Sequence, residues 1–147
     1  MTKKNSLRCL VLLAAALPTL AMAATPEGVW KTIDDHSGKV KSLVTISEQN
    51  GILSGKVSRI MDPAKREALC TKCKGSRKNQ KIEGMNILWD MTKEGDIYDD
   101  GKIIDPESGK VYSASMKLLD NGNKMEVRGY IGFSLIGRSQ VWERARN

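Results

Sequence analysis

The chain has 147 residues, with 24 Lys+Arg against 17 Asp+Glu and a formal net charge of +7. Its aromatic content is low, at three Trp, three Tyr and one Phe, and no basic stripe is interleaved with aromatic rings. That pattern argues against a nucleic-acid surface, and the length suits one domain rather than two cores.

The first residues read as an address. Lys3, Lys4 and Arg8 form a positive n-region, and Cys9 to Leu20 is an apolar run broken only by Pro18 and Thr19. Ala21-Met22-Ala23 supplies a small-x-small cleavage signature. The run is short for a membrane span of roughly 20 residues, so no transmembrane segment is expected after cleavage. Cys9, at the front of the apolar run, is not placed for lipoprotein acylation. Residues 1–23 are therefore expected to be a signal peptide, with export to the periplasm. The segment holds three of the Lys+Arg and none of the Asp+Glu, leaving 21 against 17, a net charge of +4 for residues 24–147. Two cysteines remain, Cys70 and Cys73, in a compartment that favours oxidation.

Gly28-Val29-Trp30-Lys31-Thr32-Ile33 begins the folded part, followed by the polar turn Asp34 to Gly38. A tryptophan there can plug one end of a small barrel, burying a large ring while its N–H finds a partner. In a closed barrel the last strand returns beside the first. Arg138 or Arg144, from Gly137 to Arg144, is then placed to lie over the Trp30 ring. Val40–Ser47 is β-branched, Asn50-Gly51 signals a hairpin, and Ile52–Ile60 reads as the return strand with Gly55 at a bulge or bend. Residues 62–84 form a long basic loop opened by Asp62-Pro63, in which Lys65 to Leu69 suits a single helical turn. Met85–Met91, Ile97-Tyr98, Lys102–Ile104, Val111–Leu118 and Lys124–Tyr130 are further strand candidates separated by glycine and Asp-Pro turns. A compact apolar elbow, Ile131 to Gly137, leads into the last strand.

No segment sustains a 3.6-residue apolar period long enough for a core helix. Short, evenly spaced strands argue for an all-β, antiparallel up-and-down barrel of about eight strands. A two-sheet β-sandwich is the alternative. Tyr112, Ala114, Met116 and Leu118 alternate with Ser113, Ser115 and Lys117, as a one-layer barrel wall requires.

Several stretches together resemble one family. They are Gly28-Val29-Trp30 with Asp34-Asp35 and Gly38, Cys70-x-x-Cys73-x-Gly75, and Gly84-Met85-x-Ile87-Leu88. Gly101-x-Ile103-x-Asp105-Pro106-x-x-Gly109-Lys110-x-Tyr112, Val127-Arg128-Gly129-Tyr130-Ile131-Gly132 and Gly137-Arg138-x-Gln140-x-Trp142 complete the set. It resembles the small exported bacterial proteins of the domain-of-unknown-function 2147 family. Tyr98-Asp99-Asp100-Gly101 departs from the Trp-x-Gly-Gly-like stretch expected there. The resemblance implies a lipocalin-like periplasmic barrel and, by analogy, the binding of a small apolar ligand. It brings no catalytic residue.

Cys70-Thr71-Lys72-Cys73 is the sharpest chemical motif. It lacks the strand-to-helix setting of a thioredoxin site, the histidine that haem attachment needs, and the four ligands of a zinc site. A structural disulfide pinning the loop is the expected state, with redox exchange as the competing role, since Arg66, Lys72 and Lys74 favour thiolate. His36 beside Asp34, Asp35 and Ser37 reads as a solvated turn, because nucleophile, base and orienter normally come from separate segments. Asp99, Asp100 and Asp105 lack calcium-loop spacing and read as turn caps. Lys72, Lys74, Arg77, Lys78 and Lys81 either keep a mobile loop wet or meet an anionic surface. Met61, Met85, Met91, Met116 and Met125 are scattered on strand positions, as adaptable filling would be.

No constellation for hydrolysis, phosphate cradling or dinucleotide binding is present, and neither a catalytic residue, a metal site nor a cofactor is assigned. The expectation is a non-enzymatic binding protein that holds a small apolar ligand in a barrel mouth lined by Tyr112, Met116 and Val127. Two alternatives stay open: a thiol–disulfide protein using Cys70 and Cys73, and an interaction module whose basic loop docks an acidic protein or anionic envelope surface.

Overall fold

A computed structural model describes residues 23–132 and 136–146. The segment read as a signal peptide, residues 1–23, lies outside the described residues apart from Ala23. Eight strands follow in chain order: β1 (Gly28–Ile33), β2 (Val40–Gln49), β3 (Ile52–Ile60), β4 (Asn86–Glu94), β5 (Ile97–Asp105), β6 (Lys110–Leu119), β7 (Lys124–Tyr130) and β8 (Gly137–Arg144). Each pairs antiparallel with its neighbours in sequence, and β1 pairs with β8, so the sheet closes on itself. Closure excludes the two-sheet sandwich. No helix among the described residues is long and apolar enough to cross a membrane.

Local residue chemistry accounts for several turns and irregularities of the strands. Asn50 and Gly51 both adopt positive φ, at 54° and 80°, and turn β2 into β3. Gly55 carries register shifts on either side, and a side chain there would press on Val44 and Leu88 at 3.1–3.2 Å. The register slips and the packing is close at that point because glycine has no side chain to prevent it. The two short candidates at Ile97-Tyr98 and Lys102–Ile104 are one strand, contrary to expectation. Asp100, at φ 60°, makes an irregularity between Tyr98 and Gly101 rather than an end. Gly101 has to be glycine, since a Cβ would collide with Met91 Sδ and the Trp89 carbonyl. The turn expected at Lys65–Leu69 starts earlier, with a 3₁₀ turn at Pro63–Lys65 where the Asp62 carboxylate accepts from the Ala64 amide at 3.0 Å, and continues in a turn closed by Ala68 N donating to Lys65 O at 3.0 Å.

The meander gives the barrel two different ends. At one lie the β2–β3, β4–β5 and β6–β7 turns, with the start of β1 and the end of β8. This half is solid. Trp30, Val44, Ile46, Leu53, Leu88, Met91, Ala114, Met116 and Met125 point inward there and are buried. Of the five methionines from Met61 onward, Met85, Met91, Met116 and Met125 are buried, in line with their reading as adaptable filling, and Met61 is exposed. At the other end lie the β1–β2 turn, the long β3–β4 connection, the β5–β6 turn and the β7–β8 connection. That end is open.

Closure is uneven as well. β1 and β8 share only the pairs Trp30↔Arg144 and Lys31↔Glu143, whereas β7 and β8 are in register over seven. The seam is laddered at the solid end and has no ladder pair toward the open one.

Candidate ligand-binding site

The solid end is locked by Arg144. Its guanidinium lies over the Trp30 ring, 4.3 Å from the centroid. The same group donates to three backbone carbonyls: Nε to Gly122 at 2.6 Å, Nη1 to Glu27 at 2.7 Å and Nη2 to Thr25 at 2.6 Å. Trp30 Nε1 donates to the Pro26 carbonyl at 2.7 Å. Of the two arginines expected at this position, Arg144 is therefore the closing one. Arg138 does not reach Trp30. It precedes Arg144 by six residues, roughly 20 Å along a strand, and at the open end it forms an ion pair with Asp35.

The open end holds a cavity of about 940 Å³. Its inner walls are apolar: Val57 and Ile60 from β3, Ile87 from β4, Ile103 and Ile104 from β5, Tyr112 from β6, Val127 from β7 and Trp142 from β8. Thr32 and Ser42 add hydroxyls that bond to each other at 2.7 Å. Tyr112 and Val127, two of the three residues expected to line a barrel mouth, are in the wall of this cavity. Met116 is not. Four residues beyond Tyr112, it sits roughly 13 Å deeper, buried in the solid half opposite Tyr98 and Val127.

The rim is charged. Lys41 bridges to Glu107 at 2.8 Å, joining β2 to the β5–β6 turn. Asp35 accepts from Gln140 Nε2 at 2.9 Å besides its pairing with Arg138, and so links the β1–β2 turn to β8 where the seam has no ladder. Both ion pairs are exposed and add little to stability. Ile131 and Ile136, at the β7–β8 connection, line the cavity and stand 63% and 73% exposed.

The basic connection 61–85 is a folded wall. Leu69 bridges to Lys81, Cys70 N donates to Gln80 O at 2.8 Å, and Ile82 N donates to Ala68 O at 3.0 Å, which makes a small hairpin of the segment. Cys70 and Cys73 form a disulfide, buried at 0% and 1% exposure. The β5–β6 turn packs directly onto it: a Cβ at Gly109, whose φ is 70°, would collide with the Lys72 carbonyl. From this wall Lys65, Ala68, Leu69, Thr71 and Ile82 face the cavity. The basic cluster is split among several jobs. Lys81 bonds Glu67 at 2.8 Å, which raises its pKa, and Arg77 stacks on Trp89 at 4.0 Å, while Lys72, Lys74 and Lys78 are exposed.

The polar turns are capped turns. Asp34 Oδ1 accepts from the Ser37 amide and hydroxyl, both at 2.8 Å, and these hold its carboxyl below the ordinary value. His36 is exposed on the same turn and touches no catalytic partner among the described residues. Asp105 accepts from the Glu107 amide and the Ser108 hydroxyl. Asp99 accepts from the Asp100 amide and from Tyr130 Oη at 3.2 Å; burial, with Asp99 behind it, raises the Tyr130 pKa. Among the described residues no three His, Cys, Asp or Glu side chains are grouped to hold a metal.

Residues 28–144 match the family described as "Uncharacterized protein conserved in bacteria (DUF2147)". The chain belongs to that family. Among solved structures, this DUF2147 barrel resembles a chain described as "Protein HP1028 from the human pathogen Helicobacter pylori belongs to the lipocalin family". The two share 21% identity with a TM-score of 0.74, over 84% of this chain and 85% of that one. At that identity the likeness concerns the fold, which is lipocalin-like. No curated protein matches the chain.

Proposed function

We propose that this protein is a periplasmic, non-enzymatic binding protein that holds a small, largely apolar molecule in the open end of its barrel. One observation carries the reading: one end of the barrel interior is filled by its own side chains, and the other holds a cavity of about 940 Å³ with apolar inner walls and a charged rim. That volume lies in the range of small-molecule pockets. A barrel that needed only to be stable would fill both halves. The lipocalin-like fold is compatible with such a role but by itself is a weak warrant for it.

Burial of the disulfide favours a structural role over exchange, since a catalytic pair must be reached by its partner. The basic start, apolar run and Ala21-Met22-Ala23 read in residues 1–23 of the sequence support export. Native mass spectrometry of the protein purified gently from a periplasmic extract tests the reading. The expected spectrum shows a discrete bound mass, lost on denaturation, on a chain two protons lighter than its reduced form. A bare chain that also takes up no apolar probe added in excess refutes it.

A further inference from the structure

The two ends of the barrel differ at the surface as well as inside. Seven large hydrophobic residues are exposed among the described residues, and five of them belong to the open end: Met61, Leu69, Val111, Ile131 and Ile136. Leu69, Ile131 and Ile136 stand at the mouth itself, where they line the cavity. The two isoleucines are the most exposed of the seven. Singly exposed apolar side chains are ordinary, whereas a group of them around one opening marks a surface that meets something else.

Charge is sorted the same way. The three turns of the solid end, residues 50–51, 95–96 and 120–123, hold two acids and no Lys or Arg. At the open end the connection 61–85 alone holds seven Lys+Arg against three Asp+Glu. Those three acids are engaged locally: Asp62 caps the Ala64 amide, Glu67 pairs with Lys81, and Glu83 accepts from the Ile60 amide at 2.9 Å. The rim acids Asp35 and Glu107 have Arg138 and Lys41, while Asp34 and Asp105 hold their own turns. Lys65, Lys72, Lys74 and Lys78 are left exposed, with no partner among the described residues. Lys65 lines the mouth, and Lys72 directly follows the lining residue Thr71.

Lysines alone would read as a solvated face. Here they accompany exposed isoleucines. Apolar side chains that enter the head-group layer and cations that meet its phosphates are together what holds a protein on an anionic bilayer. We propose that the open end docks mouth-down on the anionic surface of a lipid bilayer. Leu69, Ile131 and Ile136 enter the head-group layer, and Lys65 and Lys72 lie against its phosphates. A small apolar ligand then passes between bilayer and cavity without crossing water, where its exposure is unfavourable. That passage rests on the binding role proposed above; the docking does not.

The protein is titrated with vesicles of phosphatidylcholine alone and of phosphatidylcholine with phosphatidylglycerol, and the bound fraction is read by sedimentation. The anionic vesicles should bind at least about tenfold more tightly, and a rise in salt from about 0.1 to 0.5 M should weaken that binding severalfold. Lys65→Gln with Lys72→Gln should weaken it about twentyfold, near fivefold for each lysine. Ile131→Asn with Ile136→Asn should weaken it about tenfold. All four side chains are exposed, so these variants keep the fold. Brominated lipid should quench the tryptophan added by Ile136→Trp and spare the one added by Ile52→Trp at the opposite end.

Equal binding to neutral and anionic vesicles, binding to neither, or equal quenching at both added tryptophans overturns the docking. Polyglutamate bound as tightly as the anionic vesicles, with the isoleucine substitutions silent, overturns it in favour of an acidic protein. Uptake of N-phenylnaphthylamine from solution by a protein that binds no vesicle sinks the docking and keeps the binding role. Vesicle binding by a protein that takes up no such probe does the reverse.

Discussion

The two ends of this barrel are made from the same eight strands, yet one is a packed core and the other a container. At the solid end most inward residues are Leu, Met or Trp, including Trp30, Leu53, Leu88, Met91, Met116 and Met125, with Val44 and Ile46 among them. At the open end they are mostly β-branched, with Val57, Ile87, Ile103, Ile104 and Val127 against the wall. Flexible methionines settle into irregular gaps and close them. Stiff β-branched side chains keep to the strand surface and leave the space in front of them unfilled. The division of labour is therefore one of side-chain shape as much as of polarity. Stability is concentrated at one end so that the other need not collapse.

Substitutions at each end should show this contrast, beginning with the largest effect. Trp30→Ala removes the plug and the platform for Arg144, and should cost about 3–5 kcal/mol in chemical denaturation. A loss under about 1 kcal/mol would mean the solid end is not where the stability resides. Replacing both Cys70 and Cys73 by serine should cost ~2 kcal/mol. Hydrogen exchange should accelerate across residues 61–85 while the β1–β2 ladder at the solid end stays protected; uniform acceleration would show that wall and core unfold as one unit. Val127→Phe, pushed into the cavity, should change stability by less than about 1 kcal/mol, because space rather than packed atoms receives the ring. It should also abolish uptake of apolar probes. A large destabilisation there would mean that the open end is packed after all.

Strand order, the Asn50-Gly51 hairpin, the bend at Gly55 and the barrel itself were legible because alternation and turn chemistry are local signals. The break read between Tyr98 and Lys102 was not one, since Asp100 and Gly101 look like a turn in sequence and act as an irregularity within β5. Position along a strand was harder. Alternation tells which face a residue takes, and Tyr112 and Met116 share one, but only the placement of the floor separates lining from filling. The same limit put Arg138 beside Arg144 as a candidate for closure. The connection 61–85 looked like a wet, mobile loop because its charges are visible in sequence and its backbone pairing is not.

The clamp made by Arg144 also dictates an order of events. Its guanidinium meets Glu27 and Thr25 across 117 and 119 residues of chain. Contacts so distant in sequence form late, after the cost of closing a long loop has been met. A chain delivered from its amino-terminal end has nothing to cap Trp30 until β8 arrives, so no half-barrel can finish early. For the export proposed above, which needs a polypeptide not yet folded, the latest-arriving strand holds the key.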